Sequence, residues 1–446
     1  MHAMPSFCIK NARIVNDGRL TEGDLLVEGA RIAAIGSGFA VPSTAKEVDF
    51  AGDLLLPGVI DDQVHFREPG LTHKGCIATE SRAAVAGGIT SYMEMPNTRP
   101  QTITVDAVHD KLAIAERDSM ANYAFYFGAT NDNLETIKRV DNSLVCGVKV
   151  FMGASTGNML VNDPVTLEGI FAGTPLIITT HCEDTPMIQA AEAEAHEKYG
   201  DDIPFAEHAR IRSAEACYAS SSLAVGLAKR HGSRLHVLHL TTKCELELFE
   251  PGPIENKHIT AEVCGHHLFF NESWYETKGS LIKCNPSIKR AEDQEALIDA
   301  LAEDRIDIIA TDHAPHTWEE KQGTYGETLA GVPLAQHNLL IGMELVSAGR
   351  LDLPKLVMKM CHAPAIRFGV RERGFLREGY FADLVRVSTR IHTDMDEAPV
   401  YARCGWTPFA GTSFRSSVQS TWVNGEVAYD GNGLASRSLG ERLEFE

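Results

Sequence analysis

The chain has no apolar run approaching the ~18 residues of a membrane span, and its opening, MHAMPSFCIKNARIV, lacks the basic segment and long apolar stretch of a leader. The expectation is a cytoplasmic protein. Positive charge is scarce: 41 Lys and Arg against 61 Asp and Glu give a formal net charge of −20. Such a surface repels nucleic acid and anionic membranes, so neither is an expected partner. Cysteine occurs 10 times but never as C-x-x-C, which fits reduced, mostly buried thiols better than a disulfide framework. Cys182 stands beside His181, but adjacent strand residues face opposite ways, so it reads as a packing residue. Low-complexity tracts and internal repeats are also missing. What remains, 44% apolar and 23% charged residues, is ordinary globular composition.

A length of 446 residues accommodates a barrel of roughly 250 residues and a smaller second domain. Short apolar runs that end in polar residues recur between residues 55 and 313: LLPGVIDDQVHF, GITSYMEM, NYAFYFGA, VCGVKVFM, PLIITTHC, RLHVLHLT, HITAEVCG and IDIIATDH. Between them IATESRAAVAG, DAVHDKLAIAERD and SAEACYASSSLAVGLAKRHG have helical composition or spacing, the last with a Gly stop. Eight such alternations predict an α/β fold, a (β/α)8 TIM barrel, over an open doubly wound sheet. The flanks, CIKNARIVNDG and DLLVEGARIAAIG at one end and RGFLREGYFADLVRV and STWVNGEVAYDG at the other, read as short strands with turns. The predicted division is therefore 1–56 and 371–446 forming one composite β-sandwich domain, and 57–370 forming the barrel.

Barrel chemistry gathers at the C-terminal ends of strands. The first run ends in Gln63, His65 and Arg67, the second leads to Asn97, the fourth holds Lys149, the fifth ends at His181, the sixth at His239, and the eighth at Asp312, followed by His313 and His316. Gln63 and His65, spaced i, i+2 on a strand, would face one way, although a metal site would call for histidine at both. A lysine inside the apolar GVKVFMG is costly unless neutralised, paired or modified. His236 and His239 are an odd number apart, so a regular strand aims only one inward, and His239, nearer the strand end, is the better ligand. His266 and His267 could form a further ligand pair, but they read more simply as packing and loop hydrogen bonding, with only one facing the centre.

The motifs PGVIDDQVHFREPG, MEMPNTRP, GVKVFMGAS, TTHCED, HVLHLTT, TAEVCGHH, CNPSIK and ATDHAPH, with GFLREGYFADLV in the tail, cover most of the chain. Together they resemble the amidohydrolase superfamily and, within it, the longer-chain (class I) dihydroorotases. The resemblance implies one or two Zn2+ per subunit. Gln63 and His65 stand where the family has its first-strand H-x-H, Lys149 would be a carboxylated lysine bridging the metals, His181 and His239 would hold the second metal, and Asp312 the first. It further implies Asp312 as the catalytic proton carrier, with substrate held by His65, Arg67, Asn97, Asn285 and His316 and by backbone around Ala330 and Gly331. The implied reaction is the reversible closure of N-carbamoyl-L-aspartate to (S)-dihydroorotate in de novo pyrimidine biosynthesis. Metals do not choose the ring, so another cyclic amidohydrolase, allantoinase- or hydantoinase-like, is the alternative. Gln63 alone favours a third reading, a catalytically inactive dihydroorotase-like partner. The sequence leaves open a homo-oligomer or a complex of pyrimidine-pathway enzymes.

Overall fold

The computed structural model describes residues 6–153 and 159–446; residues 1–5, and with them Ala154 and Ser155 of GVKVFMGAS, lie outside the described residues. The eight apolar runs form parallel strands: β1 (Val59–Val64), β2 (Ile89–Glu94), β3 (Asn122–Phe125, resumed at Phe127–Gly128), β4 (Val148–Phe151), β5 (Ile178–His181), β6 (Leu235–Val237), β7 (Ile259–Cys264) and β8 (Ile308–Ala310). Each pairs with the next. A parallel bridge between Val64 and His313 closes the barrel, and the His65 N–H donates to the His313 carbonyl at 2.8 Å. Strand residues are buried on both faces, by helices outside and by one another inside, which is why they read as near-continuous apolar runs.

Helix ends follow local chemistry. The Thr104 hydroxyl accepts from the Ala107 N–H at 3.2 Å and starts Val105–Asp118. Ser213 caps Ala214–His231, and Gly232, at φ 67°, ends it in the left-handed conformation that glycine adopts without strain. No helix among the described residues is long and apolar enough to cross a membrane.

The two ends of the chain meet in one sheet of eight strands. Leu54–Pro57 lies parallel to Ser6–Asn16 on one side and antiparallel to Leu384–Ser388 on the other. Phe7, Phe50, Leu25, Leu384 and Trp422 share a separate core, with Trp422 stacked 5.9 Å from Phe7 and 6.0 Å from Phe50. Buried Asp53 joins the termini electrostatically, its carboxylate 2.8 Å from Arg386 and 2.7 Å from Arg390. The tail then returns to the barrel: the Tyr123 N–H donates to the Glu441 carbonyl at 3.0 Å, and the Leu443 N–H to the Tyr123 carbonyl at 2.9 Å.

Candidate active site

A cavity of about 710 Å³ opens at the C-terminal ends of the strands. Gln63, His65, Lys149, His181, His239 and Asp312 line it, as do Arg67, Asn97, Asn285, His316, Ala330 and Gly331. The metal and substrate residues that the resemblance implies therefore all face one space.

Strand periodicity does not account for all of that convergence. β1 ends at Val64 with a register shift between Asp61 and Val64, and Arg67 sits at φ 72°, so Arg67 reaches the cavity through a left-handed loop residue and not by strand alternation. His236 and His239 both point inward, because β6 stops at Val237 and His239 turns at φ 39°. His236 lies beneath the cavity, its Nε2 3.2 Å from Asp62 and 3.1 Å from Glu262. Glu262 also accepts from the His239 N–H at 3.3 Å and so helps hold the turn.

The site's donors fall into two groups. In one, His181 Nδ1 and His239 Nε2 are 3.0 Å apart, near the roughly 3.3 Å expected for two imidazole nitrogens on one tetrahedral zinc. His181 Nε2 lies 2.8 Å from the Glu183 carboxylate, which Arg212 also pairs. Burial would raise the Glu183 carboxyl, but Arg212 and His181 hold it well below the usual carboxylate range. A carboxylate on Nε2 fixes the proton there and leaves Nδ1 a lone pair toward the cavity. Lys149 is 1% exposed, and its ammonium has the Phe151 ring 4.6 Å away; burial pulls its pKa down to about 8.

In the other group, His65 Nδ1 donates to the Asn97 amide oxygen at 2.7 Å, so Nε2 presents its lone pair to Asp312 Oδ1 at 3.0 Å. Burial lowers the His65 pKa. It would also raise the Asp312 carboxyl, but the nearby Lys149 charge is among the influences that keep that group below its ordinary value. A neutral nitrogen and a carboxylate oxygen so placed need a cation between them. Gln63 donates from Nε2 to the same Asp312 oxygen at 3.1 Å, and its own oxygen faces Cys264. Both groups thus fit a metal, the second with one ligand short.

Cations also line the cavity: Arg67, Lys74, Arg99, Arg212 and Lys283, of which Arg212 pairs Glu183 and Lys74 lies 2.9 Å from Glu320. Arg67 is fixed by the Pro315 carbonyl at 3.1 Å and by His316 Nε2 at 3.2 Å, while Lys74 lies 3.1 Å from His316 Nδ1. Burial, with Arg67 and Lys74 close by, lowers the His316 pKa to about 3, so this imidazole is neutral. Gly331 is required here, since at φ 149° a Cβ would lie 2.4 Å from the Ala314 carbonyl and 2.8 Å from the His316 ring. The Asn285 amide oxygen is buried without a partner. Glu183, Lys74, Arg212 and Lys283 were missed from sequence. Only Glu183 carried a signal, two residues beyond His181.

His313 lies outside the cavity and serves the frame, with Nε2 2.7 Å from Glu80 and Nδ1 accepting the Leu334 and Ala335 N–H groups at 2.9 and 3.0 Å. The buried Trp406 indole, from the C-terminal segment, donates to the His316 carbonyl at 2.8 Å.

Residues 54–428 match the family model described as "Amidohydrolase family". The chain is 31% identical to a dihydroorotase of Halobacterium salinarum, covering 95% of this chain and 98% of that one. It is 29% identical to an allantoinase of Bacillus velezensis, covering 98% and 97%. Among solved structures, the L-hydantoinase (dihydropyrimidinase) of Arthrobacter aurescens superposes with a TM-score of 0.92 at 28% identity, covering 99% of this chain and 100% of that one.

Proposed function

The chain belongs to the amidohydrolase family and is a hydrolase-type enzyme, and from that premise we propose that it is a dihydroorotase, closing N-carbamoyl-L-aspartate to (S)-dihydroorotate and reopening it. The observation that carries this reading is Arg67, whose guanidinium lines the same cavity as the metal-binding groups. Dihydroorotate bears a ring carboxylate that allantoin and hydantoin lack, and a buried carboxylate needs a cationic partner of matching geometry. Burial lowers Arg67 only to about 10, so it stays charged at neutral pH.

Lys149, His181 and His239 would hold one metal, with Lys149 carboxylated, and His65 and Asp312 the other, the Gln63 amide being turned to donate to Asp312 in place of a third ligand. Imidazole and carboxylate donors suit Zn2+. Zinc supplies Lewis acidity when bound, polarising the amide carbonyl and making water a nucleophile near neutral pH. The chain's own residues do the rest. Asp312, kept ionised, takes the proton of the attacking water and returns it to the leaving ring nitrogen. Arg67 grips the ring carboxylate, with neutral His316 and Asn97 beside it. The unpartnered Asn285 oxygen accepts a ring N–H. Residues 57–370 form the catalytic barrel in this reading, and the reaction takes place in the cytoplasm.

The allantoinase match supports a neutral ring as the second reading. Assay of the zinc-loaded protein with dihydroorotate, allantoin and hydantoin separates the two. Arg67→Ala is expected to raise KM for dihydroorotate sharply, a loss of about 2–5 kcal/mol for one partner of a buried charged pair. Preference for a neutral ring, or an unchanged KM in that variant, overturns the carboxylate assignment. No turnover with zinc bound would favour an inactive relative.

A further inference from the structure

Cys264 ends β7, and His266 and His267 begin the short helix Gly265–Phe269 that follows it. The three side chains are at most 3% exposed, and one donor atom from each lies within 4.8 Å of the others. His266 is 1% exposed, and neither of its ring nitrogens has a hydrogen-bond partner. A neutral imidazole carries one donor and one acceptor, and each left bare in the interior costs about 1–3 kcal/mol. His267 repeats the pattern in part. Its Nε2 meets the Pro286 carbonyl at 3.2 Å, which places the proton on Nε2 and leaves Nδ1 a lone pair with no donor. The Gln63 amide oxygen lies beside this group, 3.9 Å from Cys264 Sγ. Sulfur and oxygen ligands of one tetrahedral zinc are separated by roughly 3.6 Å.

We propose that Cys264, His266, His267 and the oxygen of Gln63 bind a Zn2+ distinct from the metals of the hydrolytic site. The thiol proton leaves on binding, so the ligands contribute one negative charge against the ion's two positive. The Asp312 carboxylate bears electrostatically on Cys264 and adds to the field that favours a cation. The assignment gives a partner to one of the two bare nitrogens of His266 and to the bare Nδ1 of His267, and it accounts for the turn of the Gln63 amide. It also gives glutamine at position 63 a use that histidine lacks: one amide donates to Asp312 on one side and offers oxygen to a second cation on the other. The group lies behind the cavity wall, so the ion is taken up during folding.

The test uses protein produced in cobalt-supplemented medium. Cobalt bound by thiolate absorbs in the near ultraviolet by charge transfer, and none of the ligands assigned to the hydrolytic metals carries sulfur. The wild-type chain is expected to show this band and one metal equivalent more than Cys264→Ser, in which the band is lost. His266→Asn is expected to lose the same equivalent. No band in the wild type, or a band that persists in Cys264→Ser, overturns the proposal. Zinc-edge X-ray absorption of the unaltered protein needs no variant: a Zn–S path near the ~2.3 Å of a thiolate ligand is expected, and its absence is equally decisive. The sulfur signature is independent of turnover, so this proposal and the dihydroorotase reading can fail separately.

Discussion

At Gln63 the amide nitrogen points to Asp312, and an amide so turned gives that side of the site a donor where a metal needs a lone pair. His65 and Asp312 then hold their ion with one ligand fewer than Lys149, His181 and His239 hold theirs. The expected outcome is stepwise loading, with one hydrolytic equivalent bound tightly and the one beside Gln63 weakly. Gln63→His should strengthen the weaker step, since zinc prefers imidazole nitrogen to amide oxygen. Competition titrations with a chelator would measure both steps. Two equally tight hydrolytic equivalents in the wild type, or an unchanged weak step in Gln63→His, would count against this account of the residue. Identity at this position was legible in the sequence, but orientation was not. Which way the amide turns depends on Asp312 and Cys264, which come from other strands.

Among the elements, strands were the most legible, because parallel strands buried on both faces leave a run of apolar residues. The polar residues ending those runs pointed to the cavity for the same reason. Loop geometry left no comparable trace. Arg67 and His239 reach the site through positive φ, and Lys74 and Lys283 come from irregular segments with no period to read. Asp304 is another such residue, at φ 58° after the helix Ala291–Ala302. Its carboxylate lies 2.6 Å from Lys355 and 2.9 Å from Lys359, tying that turn to the helical stretch beginning at Leu353. Burial opposes ionisation of Asp304, but the two lysines outweigh it and lower its pKa. The folded value thus lies below the unfolded one, near the usual ~3.9. The stabilisation is complete above that value and is lost as pH falls through the lowered folded pKa. Asn tolerates the same left-handed backbone, so Asp304→Asn removes the charge alone. In urea unfolding, the wild type's advantage over this variant should shrink between about pH 6 and about pH 3. A constant difference would show that the clamp is not electrostatic.

On the scale of the whole molecule, the sequence showed two β-rich ends that could pair, and the register of Leu54–Pro57 with Leu384–Ser388 is that pairing. It did not show the return of the last residues to the barrel, because GERLEFE is too short and too charged to carry a period. That return is nonetheless well anchored. Besides the two hydrogen bonds with Tyr123, the Arg371 N–H donates to Glu444 and the Glu446 N–H to Gly369, at 2.9 and 2.8 Å, and Leu443 is 1% exposed. The segment therefore bridges the start of β3 to the chain leaving the barrel. The cavity lies at the opposite, C-terminal ends of the strands, where this fold keeps its chemistry apart from its structural face. Deleting residues 440–446 should therefore lower stability by about 3–5 kcal/mol, from one buried leucine and several backbone hydrogen bonds. KM for dihydroorotate, measured well below the unfolding midpoint, should stay unchanged. Urea unfolding and steady-state kinetics on the same preparation make the comparison. A truncated chain of full stability, or one of reduced stability whose KM also rises, would mean that the two ends of the barrel are not separate.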